Sequence, residues 1–249
     1  MFLKILFVLA VALEFVFVPL FLKYSWPDKC WKSFGYKNIC SALFFAAGLL
    51  AMAISNNHTP YAKMVVIGLL FGWIGDLFLH IISDKIIFFG IGGLAFLIGH
   101  IFYIDAFSKA IRETYPSSGA VAWYEILTVV LLVGAVIVYG VLKKIKFNPL
   151  MIAVLAYAVT ISAMLAKALR YCIGEAVYGT NDHMAMIFIT VALGAVLFVL
   201  SDGSLGMILF GGQKKNRPLK IFNIVTYFAA QILLASSIFF IRTTVLYGT

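Results

Sequence analysis

Gly68–His80 reads GLLFGWIGDLFLH, and Gly194–Phe210 reads GAVLFVLSDGSLGMILF. Each stretch belongs to an apolar run long enough to cross a bilayer, and each holds one carboxylate, Asp76 or Asp202. A carboxylate at the centre of a membrane helix costs roughly 2.5–3.5 kcal/mol on insertion scales. Such a residue is kept for a partner or a task. Two of them on separate helices point to one buried acidic site.

The rest of the chain sets the solvent. Its 249 residues are 63% hydrophobic and 12% charged, with a mean hydropathy of +1.05. A soluble domain of this size cannot hide so much apolar surface. A helical span needs about 20 residues, and eight fit, near 5–22, 39–54, 64–82, 86–107, 121–142, 148–170, 184–210 and 221–241. The expectation is an all-α membrane protein, a single bundle of eight transmembrane helices forming one domain over residues 1–249. The opening MFLKILFVLAVA has the small residues Ala10 and Ala12 of a cleavable secretory signal. The apolar run continues through Glu14 to Leu22, which favours a retained helix.

The net charge of +9 is unevenly spread. The links between spans 1–2, 3–4, 5–6 and 7–8 hold twelve of the 19 Lys and Arg residues, among them Lys37, Lys146, Lys214, Lys215 and Arg217. The other face holds Lys4, Lys63, Lys109, Arg112, Lys167, Arg170 and Arg242. The positive-inside rule then places the first set of loops in the cytoplasm, in a multi-pass protein of the plasma (inner) membrane. Anionic headgroups account for the basic excess, so no nucleic-acid partner is implied. Cys30, Cys40 and Cys172 have neither disulfide nor zinc spacing.

Helical spacing indicates which residues look inward. Gly68, Gly72 and Asp76 recur every four residues, and small residues let a neighbouring helix come close. Ala195, Asp202 and Gly206 form a comparable stripe. Asn223, Tyr227 and Gln231 share a face of span 8, Tyr157, Thr160, Met164, Lys167 and Tyr171 one of span 6, and Gly92, Phe96, Gly99, His100 and Tyr103 one of span 4. Counted from each basic-side end at ~1.5 Å per residue, Asp76 and Tyr227 lie ~9 Å deep, Asp202 ~12 Å, Tyr157 ~14 Å and Gln231 ~15 Å. His100 comes out deeper, at ~21 Å. Glu14, alone in span 1, either joins the site or pairs with Lys167, while Lys167 and Glu125 sit near helix ends and can snorkel to the interface.

Other chemistries lack their residues. Asp76 and His80 sit one turn apart, yet no HxxxH or HExxH exists to supply the three firm ligands of catalytic zinc. No metal or other cofactor is expected. There is no GxSxG elbow, and Ser201 points about 100° away from Asp202 on a helix.

These motifs together resemble the YhhN family of eight-helix membrane proteins, whose characterised members are lysoplasmalogenases. The resemblance rests on GLLFGWIGDLFL, on GGLAFLIGHIFYIDAF in span 4, on Tyr157 and Met164, on GAVLFVLSDGSL and on TYFAAQILL in span 8. Lys37-Asn38 stands where the family commonly shows Lys-Pro. The resemblance implies hydrolysis of the vinyl ether of a lysoplasmalogen to a fatty aldehyde and a glycerophospho-base. The acid pair suits that reaction, which needs one proton donor and one anion beside the cation that protonation creates. Asp76 and Asp202 are the expected catalytic residues. His100, Tyr103, Tyr157, Tyr227, Gln231, Asn223 and Lys37 are the expected substrate-binding residues, with Lys37 or the loop cations meeting the phosphate. The expected partners are the vinyl-ether lysophospholipid and membrane lipid, with the protein a monomer. Two alternatives stand beside this one: a metal-dependent membrane amidase of ceramidase type, and a non-enzymatic lipid-binding or transport protein.

Overall fold

The computed structural model describes residues 1–83, 85–117, 119–145, 149–179 and 182–241, excepting the side chains at 149 and 150. Lys146 and Arg242, counted above in the charge balance, lie outside the described residues. Among the described residues there are helices and no strands. Eight helices are long and apolar enough to cross a membrane: α1 (Phe2–Tyr24), α2 (Trp31–Ser55), α3 (Pro60–His80), α4 (Ile86–Thr114), α5 (Trp123–Leu142), α6 (Pro149–Tyr178), α7 (Met184–Phe210) and α8 (Arg217–Ser237).

Local chemistry sets several helix ends. Cys30 and Ser33 cap α2 reciprocally, and α2 stops where Asn56 turns left-handed at φ 49°. Thr59 accepts from the Ala62 N–H with Pro60 in the first helical position of α3. Asn216 does the same for Leu219 at the head of α8. Within α7, Phe188–Leu193 form a π turn, which inserts an extra residue into an otherwise α-helical rod.

The helices pack as α3 on α4, α1 on α2 and α7 on α8, while α6 bridges α4, α5 and α7. α8 lies centrally, touching α1, α2, α3 and α7. Its polar residues Tyr227 and Gln231 are therefore interior, at 7% and 0% exposure. Close approach depends on missing side chains. A Cβ at Gly68 would stand 2.6 Å from the Tyr103 ring, and one at Gly72 would stand 2.5 Å from Gln231 Nε2. Gly206 has no such neighbour, so the expected small stripe of span 7 is not a helix contact at that end. Several helices also outrun their hydropathy. α4 continues to Thr114 and α6 to Tyr178. Lys37, counted as a link residue, lies in the second turn of α2.

Candidate active site

Asp76 sits on α3 at 2% exposure and is surrounded by donors. Lys37 Nζ from α2 lies 2.8 Å from its Oδ1. Its Oδ2 accepts from Ser41 Oγ at 2.6 Å and from Tyr227 OH at 2.7 Å. The pattern is directional beyond the carboxylate. Gln231 Nε2 donates to Tyr227 OH at 3.1 Å, and Tyr103 OH donates to Gln231 Oε1 at 2.8 Å. Two helices, α2 and α8, thus present three donors to one anion, which is the arrangement a buried carboxylate requires.

Asp202 on α7 is held differently. Its Oδ2 accepts from Tyr157 OH of α6, and His100 Nε2 of α4 lies 3.9 Å away. No lysine or arginine pairs with it among the described residues. His100 Nδ1 donates to the Phe96 carbonyl at 2.7 Å. A carbonyl can only accept, so in the neutral ring Nε2 carries the lone pair. That nitrogen is buried with no hydrogen-bond partner. Aromatic packing joins the two acids: Tyr227 lies on Phe198 at 5.6 Å, Phe198 on His100 at 4.7 Å, and His100 on Tyr157 at 5.4 Å between ring centroids.

Between the two networks runs a narrow cleft lined by Gly68, Gly72, Phe96, Gly99, His100, Tyr103, Phe198 and Gln231. Its gaps are too thin to hold a water molecule.

The expected site residues therefore fall into three groups. Asp76, Lys37, Tyr227, Gln231 and Tyr103 form one hydrogen-bonded chain; across the cleft Tyr157 bonds to Asp202, with His100 Nε2 beside that carboxyl at 3.9 Å and not bonded to it. Asn223 does neither. Its Nδ2 donates to Ser201 O at 2.8 Å and accompanies a Ser201 Oγ bond to Asn223 O at 3.0 Å, so it ties α7 to α8. The deeper position expected for His100 is corrected: it shares the layer of Asp202. α4 has 29 residues and is about 43 Å long, so depth counted from its end misplaces its middle. Lys37 does not face a headgroup loop but pairs with Asp76.

Other side chains also depart from expectation. Ser41 and Phe198 were not singled out by the sequence, although Ser41 is four residues from Lys37 and Phe198 four from Asp202, each on the same helix face. Lys167 pairs with Glu125 rather than Glu14, at 2.7 Å, and Arg170 joins at 2.5 Å. These residues therefore do not snorkel separately. Glu14, 6% exposed, lies against Cys40. Thr160 turns back onto Ala156 O of its own helix. His80 makes its side-chain contact with Ser33 Oγ, at 2.9 Å, and not with Asp76. Among the described residues no three His, Cys, Asp or Glu side chains converge as a metal-ligand set.

Fold and site define a multi-pass helical membrane protein with two acids in separate networks on either side of a narrow interior cleft. The chain belongs to the YhhN family, which it matches over residues 36–238. That range takes in every residue of both networks and leaves α1 outside. No curated protein and no solved structure matches the chain.

Proposed function

We propose that the protein is a lysoplasmalogenase, an ether hydrolase that cleaves the vinyl ether of an alkenyl-glycerophosphoethanolamine or -choline. The observation that carries this reading is the unequal partnering of the two acids. Asp76 is paired with an ammonium and two hydroxyls, which suits it to remain an anion. Asp202 has a phenol and an imidazole beside it and no cationic side chain in contact, which suits it to carry a proton. Opposite environments are how one site keeps an acid and a base side by side.

The steps follow from that division. The alkenyl chain R–CH=CH–O–R′ lies in the opened cleft among Phe96, Phe198 and the glycine faces. Asp202 delivers its proton to the alkene carbon remote from oxygen, leaving an oxocarbenium ion. The Asp76 carboxylate stabilises that cation and orients a water, whose oxygen bonds to the carbon bearing the ether oxygen. The proton lost by water passes to the acid pair. The hemiacetal then collapses to R–CH₂–CHO and HO–R′. Tyr157 holds the Asp202 carboxyl, and His100 Nε2 stands ready to accept or return its proton. No cofactor enters these steps. The protein works as a monomer of the inner membrane, its basic loops on the cytoplasmic face, drawing lysolipid from the surrounding bilayer.

The experiment is aldehyde release from an alkenyl lysophospholipid by purified protein in D₂O. The aldehyde should carry one deuterium next to its carbonyl carbon. Asp202→Asn should lower kcat about 10²–10⁴-fold, the range of general acid catalysis, with the protein still folded. Asp76→Asn should do likewise. Near-normal turnover by either variant, or no cleavage by the wild type, sinks the reading.

A further inference from the structure

We propose that the space between the basic-side halves of α4, α6 and α7 is a vestibule that takes a single-chain lipid from the bilayer and leads it to Asp202. This deepens the hydrolase reading, on which it rests only for which lipid is cleaved. Among the described residues α4 and α7 do not pack along their length. Two ring contacts bridge them instead. Phe198 meets His100 at 4.7 Å at the inner end, and Phe210 meets Phe89 at 6.4 Å at the basic end, between ring centroids. Phe198 and Phe210 are about 18 Å apart along the helix. Between the bridges each wall presents a glycine. Gly206 stands midway between Asp202 and Phe210, and Gly93 lies one turn beyond Phe89 on the face that carries His100. A Cβ at either glycine would meet nothing within 4 Å. The third wall is also loose. α6 packs on α4, α5 and α7, yet no residue from 151 to 157 is buried.

An open apolar space at membrane depth stays dry and takes apolar ligands. The inner end of this one, however, is polar. The Asp202 side chain is 10% exposed there. His100, 1% exposed, turns Nε2 towards that carboxyl at 3.9 Å, and the nitrogen has no hydrogen-bond partner. A plain hydrocarbon tail leaves Nε2 unpaired, which is costly for a buried group. A lysolipid has a free glycerol hydroxyl close to its ether, and that hydroxyl donates to the lone pair on Nε2. A two-chain phospholipid has no such hydroxyl, and two missing side chains make room for one chain rather than two. The occupant is therefore a lysolipid. His100 and Phe198 also line the interior cleft, so vestibule and cleft meet beside Asp202. A chain lying through both, with its glycerol end towards the basic loops, sets its ether at the carboxyl.

The competing explanation is that Gly93 and Gly206 only face bulk lipid. The test separates the two. Two uncleavable ligands, a single-chain alkyl ether of glycerophosphoethanolamine and its dialkyl counterpart, are titrated onto the full-length protein in phosphatidylcholine nanodiscs. The wild type should prefer the single-chain ether by about tenfold, the equivalent of one hydrogen bond. Gly93→Leu and Gly206→Leu should each weaken its binding about tenfold by filling the space. Neither should lower Tm, since leucine is the better helix former and each site is open. Gly35→Leu, on α2 and equally open, should leave binding as it is. Should a Leu variant fail to fold, the wild type decides by photo-crosslinking to a diazirine-bearing single-chain ether. Adducts should fall within 86–100, 151–157 and 198–210 and vanish with excess unlabelled ether. Adducts confined to other segments, equal binding of the two ethers, folded Leu variants that bind as wild type, or an equal loss in Gly35→Leu overturn the proposal. If the wild type binds the ether with this preference but cleaves no vinyl ether, the hydrolase reading fails and the vestibule stands. Normal cleavage with binding unchanged in both Leu variants gives the reverse.

Discussion

Replacing Lys37 by Met tests how far Asp76 depends on its ammonium. The pair is close, 2.8 Å, and well covered, with Lys37 at 15% and Asp76 at 2% side-chain exposure. Removing one partner of a buried pair costs about 3–5 kcal/mol, because it strands the other charge. Ser41 and Tyr227 still donate to Asp76, so the lower end applies, about 3 kcal/mol. For a chain of this size that is a fall in Tm of about 6–12 °C. The double variant Lys37→Met, Asp76→Asn carries no stranded charge and should recover most of the loss, to within about 1 kcal/mol of wild type. The assay is thermal unfolding of all four proteins in one detergent, read as a double-mutant cycle. Both Asp76 variants should be inactive, so stability and catalysis separate within one experiment. A single variant as stable as wild type, or losses that simply add in the double, would refute the view that Lys37 holds Asp76 as an anion.

Further outcomes follow from other contacts. Tyr157→Phe removes the hydroxyl that donates to Asp202, and kcat should fall about 10–100-fold, the equivalent of one charge-assisted bond, with KM nearly unchanged in steady-state aldehyde release. Glu125→Gln breaks the pairs with Lys167 and Arg170, whose Glu125 side chain is 6% exposed. Unfolding should show a loss of about 3 kcal/mol, while turnover per folded molecule is kept, since the triad contacts neither acid network. Gly68→Ala places a methyl 2.6 Å from Tyr103; overpacking should cost about 1–3 kcal/mol, and weaker binding of an uncleavable alkyl lysolipid should accompany it because Tyr103 lines the cleft.

The spans were legible because hydropathy averages over a full helix, and Asp76 and Asp202 stood out because lipid makes isolated charge costly. The Gly68 and Gly72 face was legible from spacing alone. What sequence could not give was the relative sliding of helices. His100 was set too deep for that reason, and the end of α6 was set short because Glu175 looks like a loop residue until its buried environment is seen. Lys37 illustrates the same gap. A lysine near an apolar boundary reads as a headgroup contact, and only the packing of α2 against α3 turns it onto a carboxylate. Asn223 followed the Tyr227–Gln231 face in spacing, yet it is one turn nearer the helix start, where α7 offers the Ser201 backbone instead of the cleft. Ser41 carried no signal apart from its four-residue interval from Lys37.

The π turn at Phe188–Leu193 gives the two halves of α7 separate rotational phases. One surplus residue there is worth about 100° of azimuth. Ile187 and Val191 can therefore be sunk against α6 and α8 by one phase, while Asp202 is aimed at Tyr157 by the other. Excising a single residue from the turn would leave composition and hydropathy almost untouched, yet would swing the carboxyl of Asp202 out of line with its phenol. The aim of the Asp202 carboxyl is thus set by a length, three turns upstream, more than by any side chain it touches.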